Sequence, residues 1–232
     1  MSVYAVSDMH GCLKAYQKIK EFIKPGDMVY CLGDCGDRGP EPWETIKAVA
    51  TDLQFIYLKG NHEDMLVNAA KEVFMFDNQP YTHAQRVLAA NGGMETLEGL
   101  MAEENSQGWV NYLKDLPYTT CYLNTQGQKI FLSHAGVTFW KDDGEEVKFK
   151  GEDLLWDRLH IYDNADLMRD DITVVHGHTP MKYVASDLNI PLTAEALKYA
   201  NGKKYCIDAG TCFNGLSILL NLDTFESTVF KI

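Results

Sequence analysis

The chain has 232 residues, 46% hydrophobic and 23% charged, a balance that supplies a globular protein with a sizeable core. Its formal net charge of -12 repels nucleic acid and anionic lipid at long range, so a general nucleic-acid or membrane partner is excluded. No charged segment precedes an apolar one at the N-terminus, and no apolar run is long enough to span a bilayer, so a cytoplasmic location is expected. The six cysteines (Cys12, Cys31, Cys35, Cys121, Cys206 and Cys212) form no C-x-x-C pair and read as reduced thiols. Oligomeric state leaves no trace in the sequence.

In chain order, Val3–Ser7 is short, apolar and β-rich, and it stops at the polar turn Asp8-Met9-His10-Gly11. Leu13–Ile23 has helical spacing and ends at Lys24-Pro25-Gly26-Asp27. Met28–Leu32 is a second strand, followed by a loop over Gly33–Pro40 and a helix from about Glu41 to Ala50 with Pro42 in its first turn. Phe55–Leu58 is a third strand, ending at Gly60-Asn61-His62-Glu63, where a helix begins. Strand, loop and helix three times over predict parallel β-α-β units, whose functional groups collect at the carboxyl ends of the strands.

From about 64 to 117 the pattern is helical, with breaks at Asn91-Gly92-Gly93 and at Asn105–Gly108, and it reads as a helical insertion in a single domain spanning 1–232. Tyr118–Leu123 and Lys129–Ser133 read as strands joined by a turn. The charged stretch Lys141–Lys150 reads as an exposed loop, Asp153–Leu159 as a short helix carrying Arg158, and Ile172–Val175 as a strand. The tail reads as strands at Tyr205–Ile207, Leu216–Leu220 and Thr228–Ile232, joined by turns without a strong helix.

The chemistry lies in what recurs at the strand ends. Asp8 with His10, Asp34 with Asp37 and Arg38, Asn61 with His62, His134, and His176 with His178 each follow an apolar run. Turn-forming alone favours Gly, Asn and Ser over histidine. Mixed carboxylate, imidazole and amide-oxygen donors suit Mn²⁺, Fe or Zn²⁺ rather than thiolate-selected metals. Two such ions about 3.5–4 Å apart clamp a phosphoryl group and lower the pKa of bound water, so no Ser or Cys nucleophile is needed. Neither a G-x-S-x-G nor a C-x5-R motif occurs, while Arg38 and Arg158 are candidates to hold phosphate oxygens.

The runs Asp8-Met9-His10-Gly11, Gly33-Asp34-Cys35-Gly36-Asp37-Arg38-Gly39, Gly60-Asn61-His62-Glu63 and Ser133-His134-Ala135-Gly136 resemble the four motifs of the phosphoprotein phosphatase family, a branch of the calcineurin-like metallophosphoesterases. His176-Gly177-His178-Thr179, Leu155-Trp156-Asp157-Arg158 and Ile207-Asp208-Ala209-Gly210 resemble segments of its bacterial and bacteriophage lambda-type members. The resemblance implies an α/β fold with a central β-sandwich flanked by helices, and two divalent metals, manganese ahead of iron or zinc. It implies that Asp8 and His10 bind one metal, that Asp34 bridges both, and that Asn61, His134 and His178 bind the second. His62 is then the general acid, with Asp37 orienting its imidazole and raising its pKa, and Arg38 and Arg158 bind phosphate.

His176 reads either as a residue supporting the metal ligands or as a buried strand-end residue, Asp208 as a supporting carboxylate or a turn former, and Glu63 as a helix cap. Symmetrical diadenosine tetraphosphatases, a sister group, usually lack the second aspartate of the G-D-x-x-D-R-G run. Retention of Asp37 therefore favours a Ser/Thr protein phosphatase acting on phosphoprotein, phosphopeptide or small phosphate esters, with hydrolysis of dinucleoside polyphosphates as the alternative. Nuclease relatives carry a further histidine where Pro180 stands.

Overall fold

The computed structural model describes residues 1–75, 82–142 and 149–232. Most of the charged stretch expected as an exposed loop, and residues 76–81 of the helical insertion, lie outside the described residues.

The opening units form as the periodicity predicts. β1 (Val3–Val6), β2 (Met28–Cys31) and β3 (Phe55–Tyr57) alternate with α1 (Leu13–Phe22), α2 (Pro42–Thr51) and α3 (Asn61–Met75), and the three strands pair in parallel. α4 (His83–Ala90), α5 (Met94–Met101) and α6 (Ser106–Lys114) make up the rest of the helical segment. β4 (Thr119–Leu123) and β5 (Lys129–Ser133) form an antiparallel hairpin. The chain continues through α7 (Gly151–Trp156), β6 (Ile172–His176), α8 (Met181–Asp187), β7 (Leu197–Tyr199), β8 (Lys204–Cys206), α9 (Thr211–Asn214), β9 (Leu216–Asn221) and β10 (Ser227–Lys231).

These strands make two mixed sheets, ordered β10-β9-β1-β2-β3 and β4-β5-β6-β8-β7. Side chains alternate between the faces of a strand, and that alternation builds the layers. Val3 and Ala5 of β1 join Ile130, Leu132, Val175 and Cys206 of the second sheet in one buried cluster. Val6 instead joins Ile19, Ile46 and Leu66 of the flanking helices. On the other side Phe131, Ile172 and Val174 pack with Leu154 of α7. Each fully buried aliphatic side chain contributes about 1.5–3 kcal/mol, so this two-sheet core is what holds the strand ends in place. Among the described residues no helix is long and apolar enough to cross a membrane.

The structure departs from the sequence reading at several places. Asn105 caps α6 by accepting from the Gly108 amide, so the polar run Asn105–Gly108 starts that helix rather than interrupting the pattern. α7 ends at Trp156, which leaves Arg158 beyond the helix on which it was expected. α8 and β7 were not expected. α8 buries only Met181, Val184 and Ala185, an i, i+3, i+4 stripe too short to stand out as periodicity.

Behind the strand ends lies a buried polar layer. Lys204 is 1% exposed, and its Nζ donates to Thr138 Oγ1 (2.5 Å) and to the His160 carbonyl (2.7 Å). Burial pushes its ammonium down to about 7, with Asp163 and Asp157 pulling the other way. Between that pH and the ordinary lysine value the unfolded chain binds one more proton than the folded one, so this group adds stability as pH rises. The unfolding free energy of the parent, measured against Lys204→Met in urea at pH 6.5 and 9, should therefore gain on the variant at the higher pH. A gap that does not change with pH would contradict a depressed lysine.

Candidate metal centre

The strand ends bring the expected residues together. Asp8 and His10 follow β1, Asp34, Asp37 and Arg38 follow β2, Asn61 and His62 open α3, His134 follows β5, and His178 follows β6. Two groups of metal-capable side chains result, His10 with Asp34 and His62, and Asp34 with His134 and His178, all of them buried. Asp34 is common to both. Its Oδ1 accepts from the His62 amide (3.0 Å), while its Oδ2 lies 3.6 Å, 3.8 Å and 3.4 Å from Nε2 of His10, His62 and His134.

The tautomers follow from the partners. A carbonyl only accepts, so His134 Nδ1 carries the proton it gives to the Leu32 carbonyl (2.8 Å), and its Nε2 is a bare lone pair. Asn61 Oδ1 lies 2.8 Å from that Nε2 and 3.0 Å from His178 Nδ1. His178 Nδ1 also lies 3.2 Å from the same His134 Nε2, so three atoms able to ligate a metal converge. His178 Nε2 is buried without a hydrogen-bond partner among the described residues. His10 repeats the pattern: Nδ1 donates to the Gly36 carbonyl (3.0 Å), and Nε2 faces Asp34, with Asp8 Oδ1 3.9 Å away. Arg38 fills the mouth of this group, its Nη1 and Nη2 donating to Nε2 of His10 (2.7 Å) and His62 (2.8 Å). The donor set fits two divalent ions sharing Asp34.

The electrostatics agree. Burial, then Asp8 and Glu63, push the Asp34 carboxyl well above the usual carboxylate range. Burial lowers His10 to about 3, with His62 adding to the effect, and burial, then the proximity of His134, drives His178 down strongly. Neutral imidazoles are the ligating form, and a dication stabilises the carboxylates that burial penalises.

Left-handed backbone is concentrated at the site, with further examples at Asn189, Ala200, Asn201 and Phe225. Asp8, His10, Asp34, Asp37, Arg38 and His178 all have φ between 42° and 68°, a region that costs a non-glycine residue about 1–2 kcal/mol. The loops also touch. A Cβ on Gly33 would strike the Gly60 backbone, and one on Gly177 would strike Asp8 and Ser7.

Glu63 holds these loops. As expected of a cap, its Oε2 accepts from the Gly60 amide (2.8 Å), but the same oxygen takes the Asp34 amide (2.8 Å), and Oε1 takes the Cys35 amide (3.0 Å) and the Tyr57 hydroxyl (2.7 Å). It thereby joins the second and third motifs as well as capping α3.

Asp37 and His62 are paired, Oδ2 to Nδ1 at 2.5 Å. The expected upward shift of His62 is not found. Burial and the Arg38 guanidinium push it down to about 3, while burial raises Asp37 to about 7. Because Arg38 can only donate, His62 Nε2 is an acceptor in this arrangement.

Arg158 is exposed, and its charge reaches His178 and Asp208 without a hydrogen bond among the described residues. His176 is the buried strand-end residue the sequence suggested, its Nε2 2.8 Å from the Tyr199 hydroxyl and its ring edge-to-face with His160. Asp208 is buried and its Oδ1 accepts from the Gly210 amide (2.8 Å), the bond of a turn former.

Sequence reasoning gave no role to Trp156, which is edge-to-face with His178 at 6.0 Å, and missed Thr96 of α5 altogether. The Thr96 hydroxyl donates to Asp37 Oδ1 and accepts from the Asp37 amide (3.0 Å), and Thr96 is fully buried. The Gly92 carbonyl likewise accepts from the Arg38 amide (3.0 Å). No local pattern marks Thr96 or Gly92, because both act through a contact formed only when the helical segment packs on the second loop.

The profile of the calcineurin-like phosphoesterase family matches residues 1–209, and the chain belongs to that family, a class of hydrolases. Curated relatives include the symmetrical bis(5'-nucleosyl)-tetraphosphatase of Delftia acidovorans, 22% identical over 187 residues that cover 79% of this chain and 59% of that protein. The asymmetrical bis(5'-nucleosyl)-tetraphosphatase PrpE of Anoxybacillus flavithermus is 25% identical over 205 residues, 76% of this chain and 78% of that protein. The chain thus spans about three fifths of the first relative's length. A crystal structure assigned provisionally as a diadenosine tetraphosphatase superposes with a TM-score of 0.63 at 16% identity, over 98% of this chain and 92% of that one, which establishes a shared fold.

Thr96→Val keeps the shape of the side chain and leaves Asp37 without its hydroxyl partner. An unpaired buried group costs about 1–3 kcal/mol, so kcat for an alkyl phosphate ester should fall about tenfold while metal content holds and Thr96→Ser restores the rate. A parent-like kcat in Thr96→Val would remove Thr96 from the site.

Proposed function

We propose that the chain is a dinuclear metal-dependent hydrolase of dinucleoside polyphosphates. The observation that carries the dinuclear reading is Asp34 Oδ2, shared by two groups of buried ligands. The substrate class draws on the relatives, which are named as bis(5'-nucleosyl)-tetraphosphatases of both cleavage types. On this point the lean toward a Ser/Thr protein phosphatase, which rested on the retention of Asp37, gives way to the alternative.

In the proposed roles, Asp8, His10 and Asp34 hold one ion, and Asp34, Asn61, His134 and His178 hold the other, with manganese the first candidate. Ions held there would supply a nucleophilic water of lowered pKa and charge to neutralise the phosphoryl oxygens. With a metal ion on His10 Nε2 the Arg38 Nη1 donor is displaced from that atom, leaving the guanidinium to turn to the substrate phosphate, a bidentate contact that its planar shape suits. Its departure removes one cause of the lowered His62 pKa and frees Nε2 to take up the proton that it then gives to the leaving oxygen, while Asp37 holds Nδ1. Exposed Arg158 steers the rest of the polyphosphate.

A phosphomonoesterase is the second reading, favoured by the intact Asp37–His62 pair. Acid assistance matters most for a strongly basic alkoxide leaving group and less for a phosphate leaving from an anhydride. His62→Asn should therefore impair an alkyl phosphate ester far more than diadenosine tetraphosphate. In the Mn²⁺-loaded parent, kcat/KM for diadenosine tetraphosphate should exceed that for a phosphoserine peptide by about tenfold or more, and chelation or Asp34→Asn should abolish both activities. The reverse preference would sink the dinucleotide reading in favour of the monoesterase.

A further inference from the structure

Beside the metal centre, α8 and α9 frame a cleft of about 140 Å³ lined by Pro180, Lys182, Tyr183, Gly210, Phe213 and Asn214. Its walls include two large aromatic side chains left in solvent, Tyr183 at 54% and Phe213 at 67% exposure. The cleft adjoins the centre on two elements: Pro180 follows His178 by two residues, and Gly210 follows the buried Asp208 by two. Each ring also carries a cation on its face. The Arg38 guanidinium lies 5.9 Å from the Phe213 ring centroid, and Lys182 Nζ lies 4.8 Å from that of Tyr183. Arg38 is the same residue that caps His10 and His62, so the aromatic wall begins where the phosphate group would end.

Peptides and nucleotides both meet aromatic side chains, but this combination favours a nucleotide. A planar π-system joined to a polyanion matches aromatic faces that each hold a cation. The volume leaves room for a single ring system rather than a run of side chains. Asn214 offers an edge contact as well. Its Nδ2 donates to the Ala209 carbonyl (2.9 Å), and its Oδ1 accepts no hydrogen bond among the described residues, leaving an acceptor for an exocyclic amine.

We propose that this cleft is a nucleobase subsite, in which one base of the substrate stacks on Tyr183 and Phe213 while its phosphate chain runs past Lys182 to Arg38. The assignment rests on the dinucleoside polyphosphate reading and adds which residues select for the base.

Direct binding keeps the test of the subsite apart from the test of that reading. The fluorescence of 2-aminopurine riboside triphosphate, which stacking quenches, is titrated with the parent, with Tyr183→Ala and Phe213→Ala, and with the matching Trp variants. Base–aromatic stacking is worth about 1–3 kcal/mol per base, so each Ala variant should raise Kd about tenfold or more and lose quenching. The Trp variants should retain both, and the inhibition constant of tripolyphosphate, which has no base, should move much less. Both side chains are exposed, so a fold defect would show as failure of the Trp variants too. Equal quenching by parent and Ala variants would overturn the subsite. So would Ala variants that lose phosphopeptide turnover with quenching unchanged, which would make the cleft a peptide surface. A parent that quenches the probe but does not cleave diadenosine tetraphosphate would leave the subsite standing and sink the dinucleotide reading.

Discussion

A single buried carboxylate organises this molecule. Asp34 is 2% exposed, and its Oδ2 has three imidazole nitrogens within 4 Å. A carboxylate taken out of water costs several kcal/mol unless paired, so the surroundings of Asp34 must deliver positive charge or hydrogen bonds. The chain delivers the hydrogen bonds, with the Arg38 charge as a smaller contribution. The His62 amide takes Oδ1, Glu63 anchors the Asp34 backbone, and the neutral histidines present lone pairs suited to metal. The left-handed backbone at six site residues is the conformational cost of turning those side chains inward from the strand ends, and the two-sheet core supplies the rigidity that sustains it.

Much of this was legible in the sequence because the chemistry sits where local patterns end. Apolar runs of strand length stopped at or shortly before Asp, Asn or His, and β1, β2, β3, β5 and β6 end within four residues of those positions. The helical segment also announced itself, with its breaks at Asn91-Gly92-Gly93. What the sequence concealed depends on contacts between distant segments. Thr96 meets Asp37 across 59 positions, and nothing in the run Met94–Met101 distinguishes that threonine from a surface one. Glu63 was visible as a cap but not as the tie between two motifs. The expected rise in the pKa of His62 failed for a related reason: the pairing with Asp37 was foreseen, whereas the depth of burial and the approach of Arg38 were not.

The helical segment therefore has a second part to play beside its place in the fold. Through Thr96 and Gly92 it fixes the loop that carries Asp37 and Arg38, the two residues on which the acid pair and phosphate contact depend in the proposed mechanism. Retention of Asp37 speaks to how a leaving group is handled and is a weak guide to which substrate is bound. In the proposed reading, substrate choice falls instead to the walls beside the centre, where Tyr183, Phe213 and Arg158 stand exposed.

Anomalous diffraction from a crystal of the Mn²⁺-loaded protein, collected at the manganese edge, measures the shared role of Asp34 most directly. Two peaks are expected, about 3.5–4 Å apart, one on either side of Asp34, the first contacting His10 and the second contacting His134 and His178. A single peak, or two peaks of which only one contacts Asp34, would contradict a dinuclear centre built on that carboxylate.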